Sequence, residues 1–201
     1  MKLYVTLTSP YARMVRILIL EKGLEKRIEA IRAQTRKTNS PYYEISASGR
    51  VPCLIRDDGV AMEGSQLICA YLDHLDGSPV FDHPPGDQGW ESRRLEVLAS
   101  SLMDGLSVWG RELYRPEDER SPTIIEHERQ RSRRLIDLWE SEIEHPLMTS
   151  QFNMAQIALV CALQLERRNS DIRWRPGHPK LSLWTDRIAE RQSVTETLPP
   201  T

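Results

Sequence analysis

"KLYVTLTSPYARMVRILILEKG", residues 2–23, decides the reading of this chain. Its opening is apolar and β-branched, the composition that fits a pleated, packed surface. Ser9-Pro10 breaks that strand, and the residues after it carry apolar side chains at helical spacing until Gly23 stops them. A strand, a tight turn and a basic, apolar helix follow one another with a hydroxyl at the break.

Working outward, "KRIEAIRA" (26–33) reads as a second strand, and the polar, Pro-containing stretch 34–50 as a loop with one short helix. Further on, "CLIR" and "VAM" flank "DDG", a hairpin signature, and Ser65 stands before "QLICAYLDHL", whose apolar residues recur at helical spacing. Residues 1–76 therefore read β-α-β-loop-β-β-α. A strand-helix-strand start implies parallel pairing and the closing hairpin adds antiparallel strands, so this α/β part is expected to be a mixed four-stranded sheet with helices on its faces.

"DGSPVFDHPPGDQG" (76–89) is dense in Pro, Gly and Asp, which marks 77–89 as a linker and 90–201 as a second, all-helical domain. Segments 90–114 and 122–145 have helical periodicity, the second opening with Ser121-Pro122 as cap and first-turn proline. In "NMAQIALVCALQLERR" (153–168), Asn153 is a good N-cap and Gln156 is placed to complete a capping box. Its middle, "IALVCAL", is apolar nearly all round, so this helix is expected at the core of the second half. One more amphipathic helix is expected after Pro179.

Over 201 residues the apolar fraction is 39%, the charged fraction 28% and the net charge -2, which gives no bulk attraction to nucleic acid. The basic run "ERQRSRR" (128–134) lies among acidic residues and reads as a solvated helix face, so no nucleic-acid partner is expected. No run approaches the roughly 18 apolar residues of a membrane span, and the start lacks a signal-peptide pattern. The expectation is a cytoplasmic protein without a membrane partner. Cys53, Cys69 and Cys161 are odd in number and set in apolar surroundings, which fits reduced core thiols and no metal site.

The order β-α-β-loop-β-β-α, with "TSPYARMVRI" after the first strand, "GRVPCLI" before the third and "EGSQLICAYL" opening the last helix, resembles the thioredoxin-like half of a glutathione transferase. The helical half, with "NMAQIALVCAL" and "HPKLSLWTDRIAERQSVTETLPP", is similar to that family's second domain. The resemblance covers essentially the whole chain and implies a two-domain, glutathione transferase-like fold. It implies that Ser9 occupies the position of the catalytic hydroxyl, as in the tau-like and zeta-like Ser-type pattern, and that glutathione is the co-substrate.

The chemistry has a physical basis. A free thiol titrates near about 8.5, and making it mostly thiolate at neutral pH takes on the order of 2.7 kcal/mol. A hydroxyl hydrogen bond to a charged acceptor supplies roughly 1.5–3 kcal/mol, and a helix N-terminus roughly 0.3–1 more. Ser9 precedes a predicted helix, so both act on one sulfur, with Ser9 as donor and not as nucleophile. Ser is equally a favoured N-cap, a role that asks nothing of a ligand. Tyr4 and Thr8 carry hydroxyls nearby, Tyr4 within the strand. Arg13 and Arg16 on the same helix are candidates to steer an anionic tripeptide.

The resemblance further implies that Val51-Pro52 is the family's cis-proline dipeptide, whose backbone pairs with glutathione like an added strand. Ser65 matches the serine that, with its helix N-terminus, receives the γ-glutamyl carboxylate. The acidic position beside it holds Gly64, so Glu63, one residue earlier, is the candidate to bind that end of glutathione, although a strand-like approach turns its side chain the other way. Met103, Leu106, Trp109 and Tyr114 are candidates for the apolar wall that receives a small hydrophobic electrophile. Homodimerisation through helices 66–75 and 90–114, and a role in conjugation or detoxification, are likewise implied. A non-catalytic binding module on the same fold and a glutathione-dependent thiol reductase are the rival readings; Ser9 stands where a reductase would place its cysteine.

Overall fold

In the computed structural model, which describes residues 1–200, the chain divides into two compact units: Met1–Asp82 together with Arg191–Pro200, and His83–Glu190. In the first, strands β1 (Lys2–Val5), β2 (Glu29–Arg32), β3 (Cys53–Ile55) and β4 (Ala61–Glu63) form one sheet in the order β2-β1-β3-β4. β1 and β2 are parallel, joined through helix α1 (Pro10–Glu21), whereas β3 runs antiparallel to both β1 and β4. This is the mixed sheet expected from the order of the elements.

Helix α2 (Ser65–Asp73) packs beside α1. Leu3, Met14, Val15, Ile17, Leu18, Leu54, Ile68 and Leu72 are fully buried, so the apolar stripes legible in the sequence close on one core. Beyond the cap of α1, Gly23 takes a φ of +62°, a left-handed conformation that suits a residue without Cβ. Just before it, Lys22 Nζ reaches Asp73 Oδ1 (3.3 Å), Asp76 Oδ2 (2.9 Å) and the Ser78 carbonyl (2.8 Å). Asp73 in turn accepts the N–H groups of Val80 and Phe81, tying the ends of both helices to the segment that follows.

The second unit is built from α3 (Asp87–Leu113), α4 (Pro122–Glu142), α5 (Pro146–Thr149), α6 (Met154–Leu163) and α7 (Pro179–Ala189). Every residue of α6 is buried, as expected for the central helix, with α3 and α7 packed against it and α4 against α3. A last short helix, α8 (Gln192–Glu196), belongs to the first unit. Among the described residues no helix is long and apolar enough to cross a membrane.

Three local expectations are corrected. The segment expected as linker to residue 89 is helical from Asp87, and a Cβ at Gly89 would sit 2.0 Å from the Pro84 carbonyl oxygen, so that turn closes directly on the preceding loop. The capping box at α6 is half formed: Asn153 Oδ1 accepts from the Gln156 N–H (3.2 Å), but Gln156 Nε2 donates to the Leu147 carbonyl (2.9 Å). A buried amide near loop carbonyls satisfies those first. Finally, the region 90–201 is not a single helical body, because Arg191–Pro200 groups with the sheet-bearing unit.

Candidate functional site

The register of the sheet gathers the candidates. Tyr4 pairs with Cys53, and Cys53 with Glu63, so the end of β1, the start of β3 and the end of β4 lie in one row. With neighbouring strands about 4.8 Å apart, that row spans roughly 10 Å. Ser9 follows β1, Val51-Pro52 precedes β3, and Gly64-Ser65 follows β4, so all three leave the sheet at the same end.

Ser9 is half-buried and caps α1, with φ -80° and ψ 121°. Its N–H donates to the Thr6 carbonyl (3.2 Å), its carbonyl accepts from the Arg13 N–H (3.0 Å), and its Oγ accepts from the Ala12 N–H (3.2 Å). The capping bond uses the oxygen as acceptor and leaves the hydroxyl hydrogen to donate. Capping and donation are therefore compatible at this one residue. Tyr4 stays within the strand, its ring centroid 5.6 Å from that of Tyr42.

The Val51–Pro52 peptide is cis. Among the described residues, neither the N–H nor the C=O of Val51 pairs within the chain, an extended step open to a strand-like ligand. Across the row, α2 begins at Ser65 with no side-chain cap on its first turn. Two helix N-termini, the partial positive ends of their dipoles, thus open at the sheet end that carries an unpaired backbone step. An anionic, peptide-like ligand matches that arrangement.

Gly64 precedes α2 with φ +93° and ψ 123°, and open space surrounds the position of a Cβ. Glycine adopts this conformation without strain. The Glu63 carboxylate is engaged within the fold, where its Oε1 accepts from Ser46 Oγ (2.8 Å) and the Ser48 N–H (3.5 Å). Hydrogen bonds from Ser48, with Ser46 behind them, hold its carboxyl below the usual carboxylate range. Through Oε1 the acid therefore binds the loop that leads into Val51-Pro52 to the end of β4.

Beneath lie Tyr42 and Cys53. Tyr42 Oη donates to the Arg50 carbonyl (2.5 Å), and burial pushes its hydroxyl up to about 12. Burial, followed by the charge of Glu63, raises the Cys53 thiol as well, so this cysteine is packed and poorly nucleophilic. Ser46, Ser48 and Tyr42 were hidden in sequence within a polar loop that offered no periodic or motif signal.

Two groups of candidates lie away from this row. Arg13 is only 3% exposed; its Nη2 donates to the Val194 carbonyl (2.9 Å) and its Nε to Thr197 Oγ1 (3.3 Å), so it serves the C-terminal segment rather than a ligand. In the second unit, Met103 and Leu106 are 0% and 1% exposed and Trp109 is 9% exposed, which makes them helix core rather than an open apolar wall. Tyr114 is exposed, and its hydroxyl donates to the Arg168 carbonyl (2.7 Å). Among the described residues no cluster of acidic, His or Cys side chains has metal-site geometry.

Residues 8–75 match the model of the glutathione S-transferase N-terminal domain. Over its whole length the chain is 30% identical to a glutathione transferase family member from Pseudomonas fluorescens Pf-5, solved with bound glutathione. That likeness covers 100% of this chain and 99% of the other, with a TM-score of 0.89. The same family member with S-(propanoic acid)-glutathione superposes with a TM-score of 0.87, covering 100% of both chains. The uncharacterized GST-like protein YibF of Escherichia coli K12 is 29% identical over 202 residues, covering 100% of this chain and 99% of that protein. Sheet, helical unit and these likenesses define a thioredoxin-like domain followed by helices. The chain belongs to the glutathione transferase family.

Proposed function

We propose that this protein binds glutathione and activates its thiol, with Ser9 as the hydrogen-bond donor to the sulfur. The observation that carries the reading is the state of Ser9: its oxygen accepts the capping bond while its hydrogen remains to donate, at the sheet end shared with Val51-Pro52 and Ser65. The glutathione-bound relative supports the choice of ligand.

In the proposed reaction the thiol releases its proton to solvent, and Ser9 and the N-terminus of α1 stabilise the thiolate. The sulfur then forms a bond to an electrophilic carbon of a small hydrophobic substrate, and the leaving group departs with the electron pair of the broken bond. Val51 pairs with the cysteinyl backbone, while Ser65 and the first turn of α2 hold the γ-glutamyl carboxylate. A cytoplasmic setting accords with three free, buried cysteines. Exposed Leu67 on α2 and exposed Trp90 and Val97 on α3 support a homodimer, which sedimentation velocity tests directly.

Gly64 favours a second reading, a binding module with weak affinity for glutathione, because no carboxylate occupies that position. Calorimetric titration separates the two. Saturable binding of glutathione with proton release, and binding of S-methyl glutathione without it, supports thiolate formation. Absence of binding at millimolar glutathione overturns the transferase reading.

A further inference from the structure

We infer that Arg13 is a positioning residue for Ser9, anchored from the C-terminal segment by Thr197 and Val194. This rests on the reading of Ser9 given above. The Arg13 N–H closes the first turn of α1 on the Ser9 carbonyl (3.0 Å), so the two residues move together. The Arg13 guanidinium, 3% exposed, is bound to Thr197 Oγ1 and to the Val194 carbonyl. Thr197 is itself 1% exposed, and its hydroxyl donates to the Ser193 carbonyl (2.8 Å) while accepting from Arg13.

The same segment grips α1 at further points. Arg16 Nη1 donates to the Thr197 carbonyl (3.2 Å), and Glu21 in the last turn takes Arg191 Nη2 (2.7 Å) and the Ser193 hydroxyl. Helix ends are where α-helices fray, and a donor that must meet a sulfur tolerates little displacement. The first turn of α1 has no acidic residue and is capped by Ser9. Arg13 adds a restraint to that turn. Its partners lie 181 and 184 residues away, so the hold is tertiary.

The test uses the full-length protein with glutathione, reading the ultraviolet absorbance of the thiolate against pH, and turnover with 1-chloro-2,4-dinitrobenzene. Thr197→Val removes the side-chain half of the anchor without changing charge, leaving the Val194 carbonyl; Thr197→Ser keeps the hydroxyl, and Ser9→Ala reports on the underlying reading. The expected result is a raised apparent pKa of bound thiol in Thr197→Val, with kcat down roughly 10-fold and the KM for glutathione within about 2-fold. Thr197→Ser is expected to match the parent protein, and circular dichroism to be unchanged in both.

If Ser9→Ala raises the thiol pKa while Thr197→Val leaves both pH profile and kcat unaltered, the positioning role is overturned and the reading of Ser9 stands. If Ser9→Ala changes neither, the reading of Ser9 falls and the inference with it. Should Thr197→Val fold poorly, Arg13→Lys provides the second measurement: it keeps the charge and loses the paired donors, so an unchanged profile again overturns the role.

Discussion

Glu63 and Ser46 are joined by a hydrogen bond of 2.8 Å that fastens the end of β4 to the loop leading into Val51-Pro52. The carboxyl of Glu63 titrates below its ordinary value of 4.5 because Ser48 and Ser46 hold the anion. Above that value the contribution to stability is fully present; as pH falls through the lower folded value, the carboxylate is protonated and the contribution is lost. Glu63→Gln is therefore expected to flatten the acid limb of the stability curve below pH 4.5, measured by urea unfolding across that range.

Ser9 carries two separable roles. Ser9→Ala loses the cap, at about 0.5–2 kcal/mol of stability, and the donor to sulfur, which lowers kcat/KM at neutral pH by roughly 10- to 100-fold. Ser9→Asp retains a capping acceptor and offers no hydrogen to a thiolate. It is expected to keep the melting temperature and lose turnover, and equal activity of Ser9→Asp and the parent protein would contradict a donor role.

Gly64→Asp places a carboxylate where the resemblance expects one, in a backbone conformation with φ +93°. The strain is expected to lower stability by roughly 1–3 kcal/mol. Affinity for glutathione is expected to rise, since the new charge meets the γ-glutamyl ammonium. Paired thermal melts and glutathione titrations measure the two effects together, and a fall in both would show that the acid has no partner there.

Cys53, Cys69 and Cys161 are 0%, 1% and 1% exposed. The folded protein is expected to react negligibly with an aromatic disulfide reagent, and to show all three thiols only in denaturant. Rapid labelling of one cysteine with loss of activity would instead favour the thiol-reductase chemistry.

Lys22 meets Asp73 with side chains 5% and 1% exposed. Lys22→Met leaves that carboxylate buried without its cation, at an expected cost of about 3 kcal/mol, the low end for breaking a buried pair. The Val80 and Phe81 N–H groups still hold Asp73, which limits the loss. Chemical denaturation of the single variant checks the figure.

The order of elements in the first unit was legible because each follows from a local rule. β-branched residues before Ser9-Pro10, a helical stripe to Gly23 and a turn at "DDG" act within a few residues of one another. The burial of α6 followed equally from its composition. Ser9 was legible as a candidate because a hydroxyl before a helix is a local feature, and Val51-Pro52 because proline restricts its own backbone.

What the tertiary structure decided lies in pairings between distant residues. Arg13 reads in sequence as a candidate to steer an anionic tripeptide, yet it is buried against Val194 and Thr197, 181 and 184 residues away. Glu63 reads as a candidate ligand, and only the fold shows that its Oε1 also takes hydrogen bonds from Ser46 and Ser48. Met103 and Leu106 read as a pocket wall, and close inside the helical unit. Periodicity tells which face of a helix avoids water, but the partner that covers that face is fixed only when the chain folds. A charged side chain takes whichever hydrogen-bond partner burial brings within about 3 Å of it.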